Sequence, residues 1–318
     1  MQILAILAIM TIMATTSRIQ VLQAAGLKKL GWLVHGFSTR RAGLSKCYGG
    51  KSLNLGFTKE DSQESVEENR KRLLLALSAG NHRKLWPLVA LKQVHSDVIH
   101  VIKSKTRGRL VGDGLITNIP NLALAIQTAD CFSLLLVDTK NRAVGVFHAG
   151  WRGTLQRIVE KGLGQMRREY GTEPQDILAA IGPGIQKCCY EVGEELKGQF
   201  ESQFGYAREL FHELYSPDPI REKYPLLFLN VRPPGHGNTA TKLYLDLQEA
   251  NRRQLILVGV PEKQILSLGQ CTSCNTRQFF SHRAENGKTG RMMAVVGIKS
   301  QTKSGRKNTE PRGGRRKN

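Results

Sequence analysis

Apolar positions along the 318-residue chain fall into two kinds of run. The first kind is short, rich in branched and small side chains, and bounded by turn residues. Leu33 to Ser38, Leu122 to Thr128, Ser133 to Val137, Ala143 to His148, Ile177 to Ile181, Ile265 to Leu268 and Met292 to Ile298 have this form and predict strands. Gly112-Asp113-Gly114 and Thr139-Lys140-Asn141 punctuate them as tight turns. The second kind recurs at helical spacing. Val66, Leu73, Leu74 and Leu77 among Glu, Asn and Arg predict an amphipathic helix over 65–79, with Ser65 and Glu68 as a capping box. Further helices are expected from Thr154 to about Tyr170, near Gly193 to Phe204, and from Asp246 to Leu257. Arg40 to Gly56 reads as an irregular polar loop suited to ligand contact, and the aperiodic stretch Glu209 to Pro234 as a surface excursion. No repeat and no Pro-, Gly- or Ser-rich linker interrupts the pattern, so a single mixed α+β domain is expected over residues 31–298.

Both ends depart from that pattern. Ile3 to Met13 is apolar and has the length of a signal-peptide core, but no positive region precedes it, and it is too short to span a bilayer. Residues 1–30 are set apart as an apolar extension: an export signal, an organelle-targeting segment or, the favoured reading, residues upstream of the true start. The chain carries 47 Lys and Arg against 26 Asp and Glu, a net +21. Eight of those basic residues lie in 299–318 against Glu310 alone, which predicts a solvated basic tail. That tail could hold RNA loosely, but specific nucleic-acid recognition is not expected, and the remaining positive field suits a phosphate-bearing small substrate. A vicinal pair, Cys188-Cys189, and a CxxC, Cys271 to Cys274, do not resemble a spaced disulfide framework. A reducing compartment, the cytoplasm, is therefore favoured.

Candidate chemistry gathers where strands end in polar residues. Gln93-Val94-His95, Thr128-Ala129-Asp130-Cys131 and His148-Ala149-Gly150-Trp151-Arg152-Gly153 bring two imidazoles and a thiol to strand ends, a donor set that would hold one zinc with an open fourth position. The intervals are long, so spacing alone leaves open that Cys131 is a small buried residue and that His95 and His148 are structural. Competing motifs fail. Gly287-Lys288-Thr289 lacks the phosphate-loop glycine, since His282 stands there, and His212-Glu213 lacks the second protease histidine, since Ser216 does. The paired HxE and PCxxC of zinc nucleobase deaminases does not occur. Copper oxidation, which would need many histidines and HxH pairs, is disfavoured by eight histidines with no such pair. Cys271 to Cys274 stands as a lone CxxC without a partner pair.

As an ordered set these runs, with Phe37-Ser38-Thr39-Arg40, Ser52-Leu53-Asn54-Leu55-Gly56, Ile181-Gly182-Pro183, Tyr190-Glu191-Val192-Gly193, Phe279-Phe280-Ser281-His282-Arg283 and Thr289-Gly290-Arg291-Met292, resemble the YfiH-type laccase-domain family over about residues 33–298. The resemblance implies a four-layer α/β/β/α domain, zinc on His95, Cys131 and His148, and purine nucleoside phosphorolysis with adenosine deamination and methylthioadenosine cleavage. Purine nucleosides and inorganic phosphate would then be the partners.

Within that scheme Arg40 is the first choice to hold phosphate, and Arg152 and Arg291 are second choices or structural ion pairs. Asp130 is either a proton shuttle for deamination or the carboxylate that orients His95 or His148. Asn54 and Gln93 would bond ribose or base, or satisfy loop backbone. A different chemistry, a metal-free cysteine hydrolase with Cys131 as nucleophile and His148 as base, is the alternative.

Overall fold

A strand that is apolar at every position must be covered on both faces. In the computed structural model, which describes residues 19–81, 84–104, 110–215, 223 and 241–300, that is how the chain folds. The apolar run through Met13, most of the 209–234 excursion and the basic tail beyond Ser300 lie outside the described residues. In chain order the elements are β1 (Val21–Leu22), α1 (Ala25–Lys28), β2 (Leu33–Ser38), β3 (Arg41–Ser45), α2 (Gln63–Ala76), β4 (Leu88–Ala90), β5 (Ile99–Val101), β6 (Gly114–Thr117), β7 (Ala123–Thr128), β8 (Phe132–Asp138) and β9 (Ala143–Ala149). They continue with α3 (Trp151–Leu155), α4 (Ile158–Tyr170), β10 (Ile177–Ile181), β11 (Glu191–Val192), α5 (Glu194–Gln203), β12 (Phe211–Tyr215), β13 (Thr241–Leu245), α6 (Leu247–Leu257), β14 (Ile265–Ser267) and β15 (Met292–Ile298).

Strands β1, β2, β15, β7 and β4 form one sheet in that order, and β14, β10, β8, β9, β6 and β5 a second. Period-two alternation then decides what each side chain meets. Leu124 and Ile126 of β7 and Ala294 and Val296 of β15 share a core with Leu135 and Val137 of β8 and Val144 and Val146 of β9, between the sheets. Their alternates point outward. Ala123, Ala125, Met293 and Val295 share a core with Leu73, Leu74 and Leu77 of α2 and its C-cap. Phe132, Leu134, Leu136 and Phe147 share one with Ile158, Leu163 and Met166 of α4 and Leu255 of α6. The layers run helix, sheet, sheet, helix, the sandwich that the resemblance implies. A small third sheet, β11-β13-β12, flanks it.

Several expectations need correction. The first long helix begins at Gln63, not Ser65, because Ser62 is the N-cap and its hydroxyl accepts the Ser65 N–H at 3.2 Å. The helix expected over 154–170 is two. Arg157 adopts a left-handed φ of 61° between α3 and α4, and the Thr154 carbonyl accepts the Gln254 side-chain amide of α6 at 2.8 Å. Part of the Arg40 to Gly56 loop is a strand, β3, and the excursion opens with another, β12, paired antiparallel to β13. Residues 21–28, assigned above to the N-terminal extension, belong to the fold: Val21 pairs with Ser38, and Leu27 is fully buried.

Buried in β2, His35 carries a pH prediction. Burial, only partly offset by a backbone hydrogen bond at Ala24, lowers its pKa from 6.5 to about 4. The unfolded chain therefore takes up this proton first as pH falls. The contribution is intact above pH 6.5 and is lost between there and pH 4, amounting to about 3 kcal/mol. Urea midpoints measured across this window should fall with acid in the wild type and fall less in His35→Leu.

Candidate metal centre and cleft

Three connections deliver the candidate ligands to one end of the second sheet. The hairpin register of β8 and β9 pairs Phe132 with Ala149 and Ser133 with His148, so Cys131 lies just before the first residue of β8, beside Gly150. Thr128-Ala129-Asp130-Cys131 is the chain's crossing from β7 in one sheet to β8 in the other. His95 lies in the loop between β4 and β5 with a left-handed φ of 60°.

Asp113, fully buried at the start of β6, holds that loop. Its carboxylate accepts three successive backbone N–H groups, from Val94 at 3.2 Å, His95 at 3.1 Å and Ser96 at 2.7 Å, as well as the Ser96 hydroxyl at 2.8 Å. The same carboxylate contacts His148 Nδ1 at 2.8 Å. Burial alone would raise the Asp113 pKa, but the hydrogen bonds from His148 and Ser96 outweigh it and hold the carboxyl at about 2. An ionised carboxylate only accepts, so Nδ1 of His148 must donate, and Nε2 is left to face the site.

His95, Cys131 and His148 thus present three ligand atoms within 4.8 Å of one another. Cys131 Sγ lies 3.8 Å from His95 Nε2, and the two imidazole rings stand 4.9 Å apart. Burial would raise the Cys131 thiol, yet the neighbouring His148, and less strongly His95, lower it to about 6. Burial likewise works against protonation of His148, and Cys131 and Asp113 together raise it to about 9. A thiolate ready at neutral pH, an imidazole whose second nitrogen is tied to a carboxylate, and a second imidazole form a group that could bind a metal. Gly150 keeps it open. A Cβ there would stand 2.8 Å from Cys131 Sγ and 3.1 Å from His95 Cδ2. Gly150→Ala is expected to weaken metal retention tenfold or more, about the cost of disturbing a ligand's support, as read by competition with a chromophoric chelator.

The triad opens on a cleft of about 1040 Å³. Arg70, Lys92, Arg283 and Arg291 line it against two acids, Asp61 and Asp130, with Phe57, Gln93, Tyr190 and His282 among the rest of its wall. The cleft is therefore cationic, as a phosphate would require.

Other predicted site residues are placed differently. Arg40 does not line this cleft. Its guanidinium donates to Glu285 at 2.8 Å and to the carbonyls of Thr276, Phe279 and Tyr48, and it lies 4.5 Å over the Phe280 ring. It ties the loop after β2 to the loop before β15. Asn54 is fully buried and spends both ends of its amide on Gly56, Asp61 and the Arg291 N–H. Gln93 borders the cleft but exchanges two hydrogen bonds with the Gln127 backbone. Asn54 and Gln93 thus satisfy backbone groups. Arg152 is exposed on α3, 4.4 Å over the Trp151 ring, and outside the cleft wall. Arg291 is in the wall, with Nη1 on the Thr289 and Gly290 carbonyls. Asp130 lines the cleft too, but it orients neither histidine. Its oxygens accept the Thr272 hydroxyl and the Arg283 N–H, each at 2.7 Å.

The orienting carboxylate is Asp113, which the sequence presents only as the acid of a Gly-Asp-Gly turn. That an acid with glycine on both sides opens a strand was the available signal. Arg70 and Lys92 come from separate segments and carry none, whereas Arg283 ends the Phe279-Phe280-Ser281-His282-Arg283 run that shares in the family resemblance.

A family described as multi-copper polyphenol oxidoreductase laccase matches residues 34–299. A protein of Geobacillus stearothermophilus named purine nucleoside phosphorylase YlmD is 34% identical over 289 residues, covering 85% of this chain and 96% of its own. A protein named adenosine deaminase RL5, from an unknown prokaryotic organism, is 32% identical over 274 residues, covering 83% and 93%. The crystal structure of the Bacillus licheniformis hypothetical protein YfiH superposes with a TM-score of 0.70 at 32% identity, covering 84% and 93%.

Proposed function

Since the chain belongs to the multi-copper polyphenol oxidoreductase laccase family, with relatives named for purine nucleoside chemistry, we propose that it is a zinc-dependent purine nucleoside phosphorylase. In this reading it converts adenosine, inosine, guanosine or methylthioadenosine and phosphate to the free base and the sugar 1-phosphate, with adenosine deamination as a side activity. The observation that carries the proposal is the His95, Cys131 and His148 group facing a cationic cleft.

The donor set fits zinc: one thiolate and two imidazoles are borderline-soft, and the buried Asp113 fixes the tautomer of one of them. Held by these three residues, zinc would supply Lewis-acid chemistry next to the substrate. The chain's own residues do the rest. Arg291, Arg70, Lys92 and Arg283 offer cations for phosphate, the role first sought in Arg40. Phe57 is 57% exposed at the cleft, and Arg70 covers one face of its ring at 4.3 Å, so the other face can stack on a flat base. Burial and the nearby Cys131 push the Tyr190 phenol up, so it stays protonated and can donate a hydrogen bond to the departing purine. Deamination needs a group in the cleft to carry a proton, and Asp130, fixed by Thr272 and Arg283, is the candidate. Among the described residues no helix is long and apolar enough to cross a membrane.

The test is incubation of the purified chain with adenosine, with and without phosphate, while adenine, inosine and hypoxanthine are followed. Adenine that forms only with phosphate supports the proposal. Inosine as the sole product would reduce the chain to a deaminase, and no turnover of any purine nucleoside would refute both activities.

A further inference from the structure

The two cysteine motifs left without a use by the proposed reaction meet in space. Cys188 and Cys189 lie in the turn between β10 and β11, and Cys271 and Cys274 open the long connection between β14 and β15. All four Sγ atoms lie within 4.8 Å of one another. Cys274 Sγ is 3.4 Å from Cys188 Sγ and 3.3 Å from Cys189 Sγ, and the vicinal pair is 3.7 Å apart.

Those separations discriminate between occupants. A disulfide needs sulfurs about 2 Å apart, and none of the four is so bonded. Thiolates at about 2.3 Å from one tetrahedral ion stand about 3.8 Å from each other, close to the spacing found here. An iron–sulfur cluster, with several irons between its cysteines, needs a wider cage. The sulfurs also sit within a backbone scaffold. The Gln186 N–H donates to Cys271 Sγ at 3.4 Å, the Cys189 and Tyr190 N–H groups both donate to the Gln186 carbonyl, and Thr272 N–H donates to Gly184.

We propose that Cys188, Cys189, Cys271 and Cys274 form a second metal site, a tetrathiolate that holds one structural zinc ion. Its place in the fold says what it does. Between Ser267 and Met292 the chain has no helix or strand, a length of connection that rarely holds a shape unaided. That connection nonetheless supplies Thr272 and Arg283 to fix Asp130, and His282 and Arg283 to the cleft wall. The opposite partner of the clamp runs directly into Tyr190, another wall residue. One ion would therefore staple both segments behind the cleft, some eighty residues apart in sequence, without touching substrate.

The proposal stands apart from the purine reading, because its test asks for no activity. Full-length chain with Cys131→Ala leaves the tetrathiolate as the metal site under test. Purified without chelator, this variant is expected to hold one zinc ion. Of its five thiols, exposed Cys47 should react at once with a chromogenic disulfide, and the other four only after a strong zinc chelator is added. Cys188 and Cys274 are themselves exposed, so their protection would come from the ion. A metal-free variant with those thiols reacting at once would overturn the proposal, as would thiols released by a reductant but not by the chelator. Cobalt loaded into the same variant should give the intense sulfur-to-metal charge-transfer band of a tetrahedral thiolate site. Its absence would also count against the assignment.

Discussion

Replacing Cys131 with alanine is expected to lower kcat/KM for adenosine and phosphate at least about a thousandfold, because in the proposed reaction the metal that this thiolate would hold supplies the Lewis-acid chemistry. The same substitution should cost the chain one metal ion and little of its fold. Cys131 is only half-buried, and its side-chain contacts are with the two histidines, so far-ultraviolet circular dichroism should be unchanged. Activity loss alone would not separate this account from a metal-free cysteine hydrolase, in which Cys131 attacks and His148 serves as base. The low thiol pKa and the raised imidazole pKa would suit that chemistry as well. Exhaustive chelation of the wild type separates them. Activity that is lost and then restored by zinc belongs to a metal centre, whereas activity untouched by the chelator but abolished by alkylation belongs to a hydrolase.

Asp113→Asn is the second large effect. One oxygen of Asp113 accepts His95 N–H and His148 Nδ1–H, and the other accepts the Val94 and Ser96 N–H groups and the Ser96 hydroxyl. An amide nitrogen at either position faces at least two donors, so no flip of the Asn restores the network. The expected result is about a hundredfold loss of metal affinity and of kcat/KM, with His148 free to change tautomer. Isothermal competition against a chelator reads the first and steady-state kinetics the second. Unchanged metal affinity would show that the carboxylate supports the loop without tuning the ligand.

Much of this was legible in the sequence because burial on both faces leaves a continuous apolar run that no turn interrupts. β10 and β15 lie where Ile177 to Ile181 and Met292 to Ile298 predict them. Helix ends were less legible, because they depend on partners far along the chain: the break at Arg157 follows from a bond between Thr154 and Gln254. The site divides the same way. His95, Cys131 and His148 stand out as candidates because each ends or follows an apolar run, the family resemblance makes them a set, and the structure brings them together. Arg40 has the charge to hold phosphate, but a guanidinium also makes a good structural tie, and the Glu285 and Phe280 that engage it are some 240 residues away. Asp113 has no feature of its own in the sequence beyond two glycines. The partner pair that Cys271 and Cys274 lacked on paper was Cys188 and Cys189, hidden only by separation along the chain.

The most direct test of the account is a phosphorus NMR spectrum of the zinc-loaded chain turning over adenosine in phosphate. Ribose 1-phosphate should appear in step with adenine. Adenine released with free ribose, while the phosphate signal stays whole, would contradict it.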